Sequence, residues 1–351
     1  MTDIKNMKDL RNMKILGRTA WEEGGDALNL YWTASGIELM VKGSELWVDI
    51  EAEYRTYEPW VDILINDALT QRFMVTAGRH RICVFRGMNP EIVKKVQILR
   101  DTQAMTGDTL LKIRGVFTDG MFMRPADYEL KIEFIGDSIT SGEGCTGALC
   151  EQDWLPSWMN AVANYSYMTA QKLQAEYRCI SQCGWGFYWS WDGHKECNIP
   201  RIYEEICGIY GNQKAWDFSS WQPDVVVINL GTNDGSPLGF TADSSLTMDV
   251  DKAQELPSMK QAGVAFLKQL RRCNPAAEFL WVYGMLGTQL EPTLLEIIDT
   301  YQQQTGDNKI HYLQLQDTEV TGVGARSHPG LECHRAAAKA IAGKIANILK
   351  K

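Results

Sequence analysis

The sequence predicts an α/β protein in two parts, an N-terminal β-sandwich (jelly roll) and an αβα domain with a five-stranded parallel sheet. Three observations predict it. Up to about residue 125, short runs of alternating apolar and polar residues are separated by turn residues. Beyond that point, apolar runs alternate with helix-length segments. One of the later runs, Val225-Val226-Val227-Ile228, is continuously apolar, as a parallel strand covered on both faces requires.

The clearest alternation lies at residues 44–54. Leu46, Val48, Ile50, Ala52 and Tyr54 fall on one face; Glu45, Trp47, Asp49, Glu51 and Glu53 fall on the other. Similar strands are expected at 28–32, 60–65, 80–85, 93–99 and 110–117. Ala34-Ser35-Gly36, Lys42-Gly43-Ser44, Asn66-Asp67, Ala77-Gly78-Arg79 and Gly87-Met88-Asn89-Pro90 supply the turns. Short strands at this spacing suit a sandwich or jelly roll. The pattern changes at Phe122-Met123-Arg124-Pro125-Ala126-Asp127, so the domains are expected at 1–127 and 128–351.

In the second part, strands are expected at 131–135, 178–182, 225–230, 278–283 and 310–315. Helices are expected at 161–176, 253–272 and 292–303, with a last one over 329–350 that takes Pro329 as its first helical residue. Residues 145–160 and 184–224 read as long loops rich in Trp and Gly, and long loops at the strand ends of such a sheet often carry function.

Composition bounds the function class. At 351 residues, two domains are the prior. The apolar share of 45% and charged share of 23% are those of a globular protein. A net charge of −9 argues against nucleic acid or an anionic membrane as the main partner. No run is long and apolar enough to span a bilayer, and residues 1–10 have no apolar leader core. The nine cysteines are odd in number and lack framework spacing, so free thiols in a reducing cytoplasm are expected. Cys145-x4-Cys150 and Cys179-x3-Cys183 fit no zinc pattern, and no metal or other cofactor is expected.

Four elements could carry chemistry. Ile132-Glu133-Phe134-Ile135-Gly136-Asp137-Ser138 is a strand that ends in a turn, which puts the Ser138 hydroxyl at the carboxyl edge of the sheet. Ser181-Gln182-Cys183-Gly184 follows the second strand, and a glycine there lets a backbone N–H approach an anion. Asn229-Leu230-Gly231-Thr232-Asn233-Asp234 follows the central strand and offers the Asn233 amide, a standard oxyanion donor. Ser327-His328-Pro329-Gly330 sets a histidine in the loop before the last helix. Each alone has a plainer reading: Ser138 as a helix cap, Gly184 and Thr-Asn-Asp as turns, His328 as a surface residue.

Taken in order, the four resemble the SGNH (GDSL) hydrolase superfamily over about residues 129–351. With the β domain in front, the chain is similar to carbohydrate esterase family 2, the acetyl xylan and mannan esterases, whose members carry an N-terminal jelly roll. The resemblance implies O-deacetylation of hemicellulose-derived oligosaccharides through an acetyl-enzyme. Ser138 would be the nucleophile and His328 the base; Ser138, Gly184 and Asn233 would form the oxyanion hole. Asp137 is read as fixing the turn.

One departure matters. The superfamily's acid stands three residues before the histidine, and here that position is Ala325. A Ser–His dyad is expected, with a backbone carbonyl on the Nδ1–H; Asp317 and Glu319 are the nearest carboxylates that could substitute. Seven tryptophans could face the site: Trp154, Trp158, Trp185, Trp189, Trp191, Trp216 and Trp221. Trp185 and Trp189 lead as sugar platforms. Three rivals stay open: an esterase for other acyl esters, an inactive carbohydrate-binding protein, and a two-carboxylate glycosidase. The expected partner is an acetylated oligosaccharide.

Overall fold

A computed structural model describes residues 2–3, 12–210, 212–240 and 250–350. Residues 1–10, read above for leader character, lie outside the described residues apart from Thr2–Asp3. The chain forms two compact units.

The first unit is built from two six-stranded antiparallel sheets. One runs Thr19–Trp21, Leu28–Leu30, Leu110–Thr118, Glu45–Glu53, Gly78–Arg86, with Thr2–Asp3 paired to Leu110–Thr118. The other runs Met121–Met123, Gly36–Lys42, Val93–Arg100, Trp60–Ile65, Ala68–Met74, with Met13–Leu16 on Gly36–Lys42. The alternation at 44–54 sets which face is inward. Leu46, Val48, Ile50 and Ala52 are buried in one core with Ile37, Leu39, Val41, Ile63, Val96 and Ile98. On the outward face Asp49 is nonetheless buried, held by Arg81 Nε at 2.7 Å and Arg79 Nη2 at 2.8 Å. Burial pushes its carboxyl up, and the two guanidinium groups more than offset this, leaving it below the usual carboxylate range.

The strands that escaped the sequence reading include Gly36–Lys42 and Ala68–Met74, besides the shorter Thr2–Asp3, Met13–Leu16, Thr19–Trp21 and Met121–Met123. In the first, Ile37, Leu39 and Val41 face the core, and Glu38 on the other face accepts from Gln97 of the paired strand at 2.8 Å. Asn66 and Asp67 make the turn into the second with φ of +51° and +66°, the two-residue hairpin geometry that matches sheet twist.

The second unit holds the parallel sheet in the order Ala175–Ser181, Leu130–Gly136, Val225–Asn229, Glu278–Tyr283, Ile310–Gln314. By chain order this is 2-1-3-4-5, and the winding reverses between the first and third strands. Ligands bind at that switch point, outside the carboxyl ends. Gly136 is in register with both Ser181 and Asn229, which levels the three strand ends that carry the sequence elements.

The helices are Tyr165–Leu173, Lys252–Cys273, Glu291–Thr305 and Leu331–Leu349, with shorter turns between. The helix expected at 161–176 is shorter because Asn164 caps its start and Gln174, at φ +51°, ends it. Residues 184–224 are not simply loop: they hold the helical turn Ile199–Ile202 and the strand pair Glu205–Cys207 and Asn212–Ala215. Pro329 is not the first residue of the last helix. Gly324 N–H bonds His328 O at 2.7 Å and Gly330 N–H bonds Gly322 O at 3.1 Å, which keeps 328–330 extended and makes Gly330 the cap. No helix among the described residues is long and apolar enough to cross a membrane.

The alternation has a direct test. Ile50→Ala should cost ~2–5 kcal/mol by opening the sandwich core, whereas Glu53→Ala, exposed on the same strand, should stay within about 0.5 kcal/mol. Urea unfolding measures both.

Candidate active site

The strand Leu130–Gly136 stops at a turn fixed from both sides. Asp137 caps the short helix Ser138–Ser141, its Oδ1 accepting the Ile139 N–H at 3.0 Å. Gly136 must lack a side chain, since a β-carbon there would lie 1.9 Å from Thr140 Oγ1. As the first residue of its turn, Ser138 has an N–H that no carbonyl of that helix can reach. Its side chain sits 6% exposed at the carboxyl end of the sheet.

Ser138 Oγ lies 2.9 Å from His328 Nε2, and His328 Nδ1 lies 2.8 Å from the carbonyl oxygen of Arg326. A carbonyl can only accept, so Nδ1 carries the proton. The neutral ring then presents Nε2 as the acceptor for the Ser138 hydroxyl. Arg326 and Ser327 adopt φ of +55° and +54°, a left-handed turn that aims the Arg326 carbonyl back at the ring. Three bonds hold that turn: Arg326 N–H to Glu151 O at 2.7 Å, Nη1 to Gln152 O at 2.7 Å, and Nε to Glu143 Oε1 at 2.6 Å. Asp317 serves elsewhere, accepting from Gly287 N–H at 2.7 Å and Glu319 N–H at 2.8 Å. Ala325 is fully buried.

Gly184 follows the second strand with φ +76°, and a β-carbon would meet Trp191 Cδ1 at 2.7 Å. Its N–H makes no hydrogen bond among the described residues, while its carbonyl accepts the Trp191 N–H at 2.8 Å. Residues 184–191 thus form a tight hairpin, closed again by Gly186 N–H to Trp189 O at 2.9 Å. Asp234 braces the tip. Its carboxyl oxygens accept the N–H groups of Tyr188 at 2.8 Å, Phe187 at 3.0 Å and Trp189 at 3.3 Å. Beside it, the Asn233 amide donates to Trp185 O at 3.1 Å and Asp137 Oδ2 at 3.2 Å.

The tryptophans divide differently from the sequence expectation. Trp189 is only 2% exposed and its indole N–H is spent on Asp234 O at 2.8 Å, so it is a packing residue and not a sugar platform. Trp221 is buried on Glu176 and stacks under Arg178. Trp185 is half-buried, and Trp191, 44% exposed against Gly184, presents the open face.

Three buried carboxyls surround the pair. Burial pushes Asp137 up to about 8, a rise that the Ile139 N–H reduces and nearby Asp234 and Glu143 increase. Burial likewise lifts Asp234 to about 7 against the pull of its three N–H donors. Glu143 goes the other way: burial pushes it up, but His328, the Cys183 thiol and Arg326 together hold it below the usual range. Asp137 is therefore largely protonated at neutral pH, Asp234 stands near its midpoint there, and Glu143 is charged. Among the described residues no cluster of His, Cys, Asp or Glu could hold a metal ion, and all nine cysteines are free.

Glu143 and Asp234 were missed by sequence reasoning; the backbone carbonyl expected on Nδ1–H is present, and the structure identifies it as that of Arg326. Asp234 adjoins Asn233 and could have been found as a loop acceptor beside a glycine-rich turn. Glu143 is flanked by Gly142 and Gly144, a charged residue in a tight turn five residues past Ser138. The Arg326 carbonyl has no side-chain signal.

A family profile described as GDSL-like lipase/acylhydrolase matches residues 132–341. Among solved structures, the chain is similar to an acetyl xylan esterase from the rumen bacterium Butyrivibrio proteoclasticus, with 37% identity, 99% of each chain covered and a TM-score of 0.92. It is 28% identical over 91% of its length to the cellulase/esterase CelE of Acetivibrio thermocellus, and spans 37% of that protein. It is 24% identical over 96% of its length to an acetylxylan esterase/glucomannan deacetylase of Cellvibrio japonicus, and spans 89% of it.

The raised carboxyls set a pH dependence. In the unfolded chain both aspartates ionise near 4, while the folded chain keeps their protons until about 8 for Asp137 and about 7 for Asp234. Stability from this source is complete below the unfolded values and is lost as pH rises through 7 to 8. Urea unfolding should show that decline between pH 5 and 8, and Asp137→Asn should flatten it. A profile identical in the variant would refute a protonated Asp137.

Proposed function

The chain belongs to the GDSL-like lipase/acylhydrolase family, and we propose that it is a serine carboxylic-ester hydrolase that removes acetyl groups from xylan- or mannan-type oligosaccharides. The observation that carries this reading is the 2.9 Å contact between Ser138 Oγ and a His328 ring whose far nitrogen is already held. Names borne by the relatives, acetyl xylan esterase and glucomannan deacetylase, support the substrate class.

The geometry suits a two-step acyl transfer. Ser138 Oγ attacks the acetyl carbonyl as its proton passes to His328 Nε2. The tetrahedral intermediate collapses, the C–O bond to the sugar breaks, and the imidazolium returns the proton to the departing hydroxyl. Water, deprotonated by Nε2, then attacks the acetyl-serine, and acetate leaves with Ser138 reprotonated. The Ser138 and Gly184 N–H groups suit the oxyanion, as does the Asn233 amide. Asn233 now donates to Asp137, which is a neutral acid at pH 7 and a weak acceptor. A full oxyanion charge outcompetes it. Trp191 offers the aromatic face on which the C–H side of a sugar can rest, with Trp185 beside it.

The compartment is likewise a proposal: nine free thiols favour a reducing cytoplasm. Fractionation of the source cells, assayed for esterase activity, tests it.

Acetate release from acetylated xylan and mannan oligosaccharides decides the main reading. The parent should release acetate and Ser138→Ala should lose about 10³-fold or more in kcat. Sugar binding without turnover by the parent would point to a binding protein instead. Trp191→Ala should raise KM for the oligosaccharides about tenfold and leave 4-nitrophenyl acetate nearly unaffected, since only the former reaches a sugar platform. Equal losses on both substrates would remove Trp191 from substrate recognition.

A further inference from the structure

We propose that Glu143 supplies, from the Nε2 side of His328, the negative charge that a triad acid would otherwise place at Nδ1. The inference rests on Ser138 and His328 being the reacting pair. It divides the missing acid's work between two groups. The Arg326 carbonyl orients the ring, and Glu143 compensates the charge that the ring acquires.

The sequence builds this placement. Glu143 follows the Ser138 turn, and its own N–H bonds Ser138 O at 3.0 Å, so it is tethered to the nucleophile. Gly142 and Gly144 on either side take φ of +85° and +78°. A β-carbon on Gly144 would strike His328 Cβ at 2.5 Å, so the bare backbone is what admits the histidine loop. The Glu143 side chain is 3% exposed and Oε2 lies 3.8 Å from His328 Nε2.

The groups facing Glu143 are few and their charges can be tracked. Oε1 takes the Arg326 Nε–H at 2.6 Å, an ion pair that spends one oxygen. Oε2 takes the Cys183 thiol at 3.0 Å, a weak donor that leaves this oxygen's charge available toward the imidazole. Asp137, the remaining nearby carboxyl, is protonated at neutral pH and adds no competing anion. When the proton leaves Ser138 Oγ for Nε2, the ring becomes an imidazolium beside a buried, ionised carboxylate. The attraction exists only in that charge-separated state, so it lowers the barrier without tightening the resting complex. A purely structural Glu143 would need only its Oε1 bond to Arg326, and the orientation of Oε2 would be incidental.

Glu143→Gln keeps the size and an acceptor for Arg326 but removes the charge. With 4-nitrophenyl acetate, kcat/KM should fall about tenfold or more, and its acid limb should move to lower pH by about one unit, because the imidazolium loses its anion. Ring NMR titration of His328 should show the same downward movement in the absence of any substrate. Glu143→Asp should restore much of the limb's position. Arg326→Gln, which removes the opposing cation, should move the ring's midpoint upward. A rate loss in Glu143→Gln with limb and ring midpoint unmoved would overturn the proposal and leave Glu143 a structural residue. Should Glu143→Gln fail to fold, an unmoved or lowered midpoint in Arg326→Gln overturns it equally. Absence of esterase activity in the parent would instead defeat the hydrolase reading, and the substrate-free titration would still decide whether the imidazole feels the charge.

Discussion

The site depends on the bond from His328 Nδ1–H to the Arg326 carbonyl. It fixes the tautomer, the tautomer leaves Nε2 free to accept from Ser138, and that contact turns a serine of the first helical turn into a candidate nucleophile. The carbonyl points at the ring because Arg326 and Ser327 are both left-handed. For non-glycine residues this conformation costs about 1–2 kcal/mol each, so the surroundings must hold it. They do so with the three Arg326 anchors, two to loop carbonyls and one to Glu143. Strain in the histidine loop is thus linked directly to the turn that carries the serine.

The rest of the second unit serves to bring the two loops to one place. A 2-1-3-4-5 sheet has its reversal between the strands that end in Gly136 and Asn229, and equal register brings their ends level. The second strand, on the other side of Gly136, delivers the Gly184 hairpin to the same edge. Asp234 then ties the hairpin tip to the loop after the central strand. One residue after Asn233, this carboxyl makes the loop after the central strand and the Trp-bearing loop a single unit.

Much of this was legible in residues 130–137, 225–234 and 278–283, where largely apolar strands end at Gly136-Asp137, at Asn229 and at Tyr283. The hydrophobic period is a through-chain property and is written locally. Gly36–Lys42 carries the same alternation in Ile37, Leu39 and Val41, and the partner of its Glu38, Gln97, stands far along the chain. The orienting group was legible only in part. Ala325 showed that the usual acid was absent and pointed to a backbone carbonyl, but which carbonyl has no residue type to betray it, and its aim depends on two φ angles. Trp189 and Trp191 are identical letters two residues apart. Only the hairpin's register decides that one is packed under Asp234 and the other is open to solvent.

Three carboxyls buried within one site would repel each other and the oxyanion if all were ionised. The protein separates them by partner. Asp137 and Asp234 receive N–H donors but no cation, and burial leaves them neutral well above the ordinary carboxylate range. Glu143 has a guanidinium and an imidazole, and these outweigh burial. Where they hold their protons, the two aspartates position the capping turn, the Asn233 amide and the hairpin without adding negative charge on the Asn233 side. Glu143, the carboxylate held below the usual range, lies on the histidine side. Access to a cation, with no change of residue class, thus sorts carboxyls of one site into different charge states.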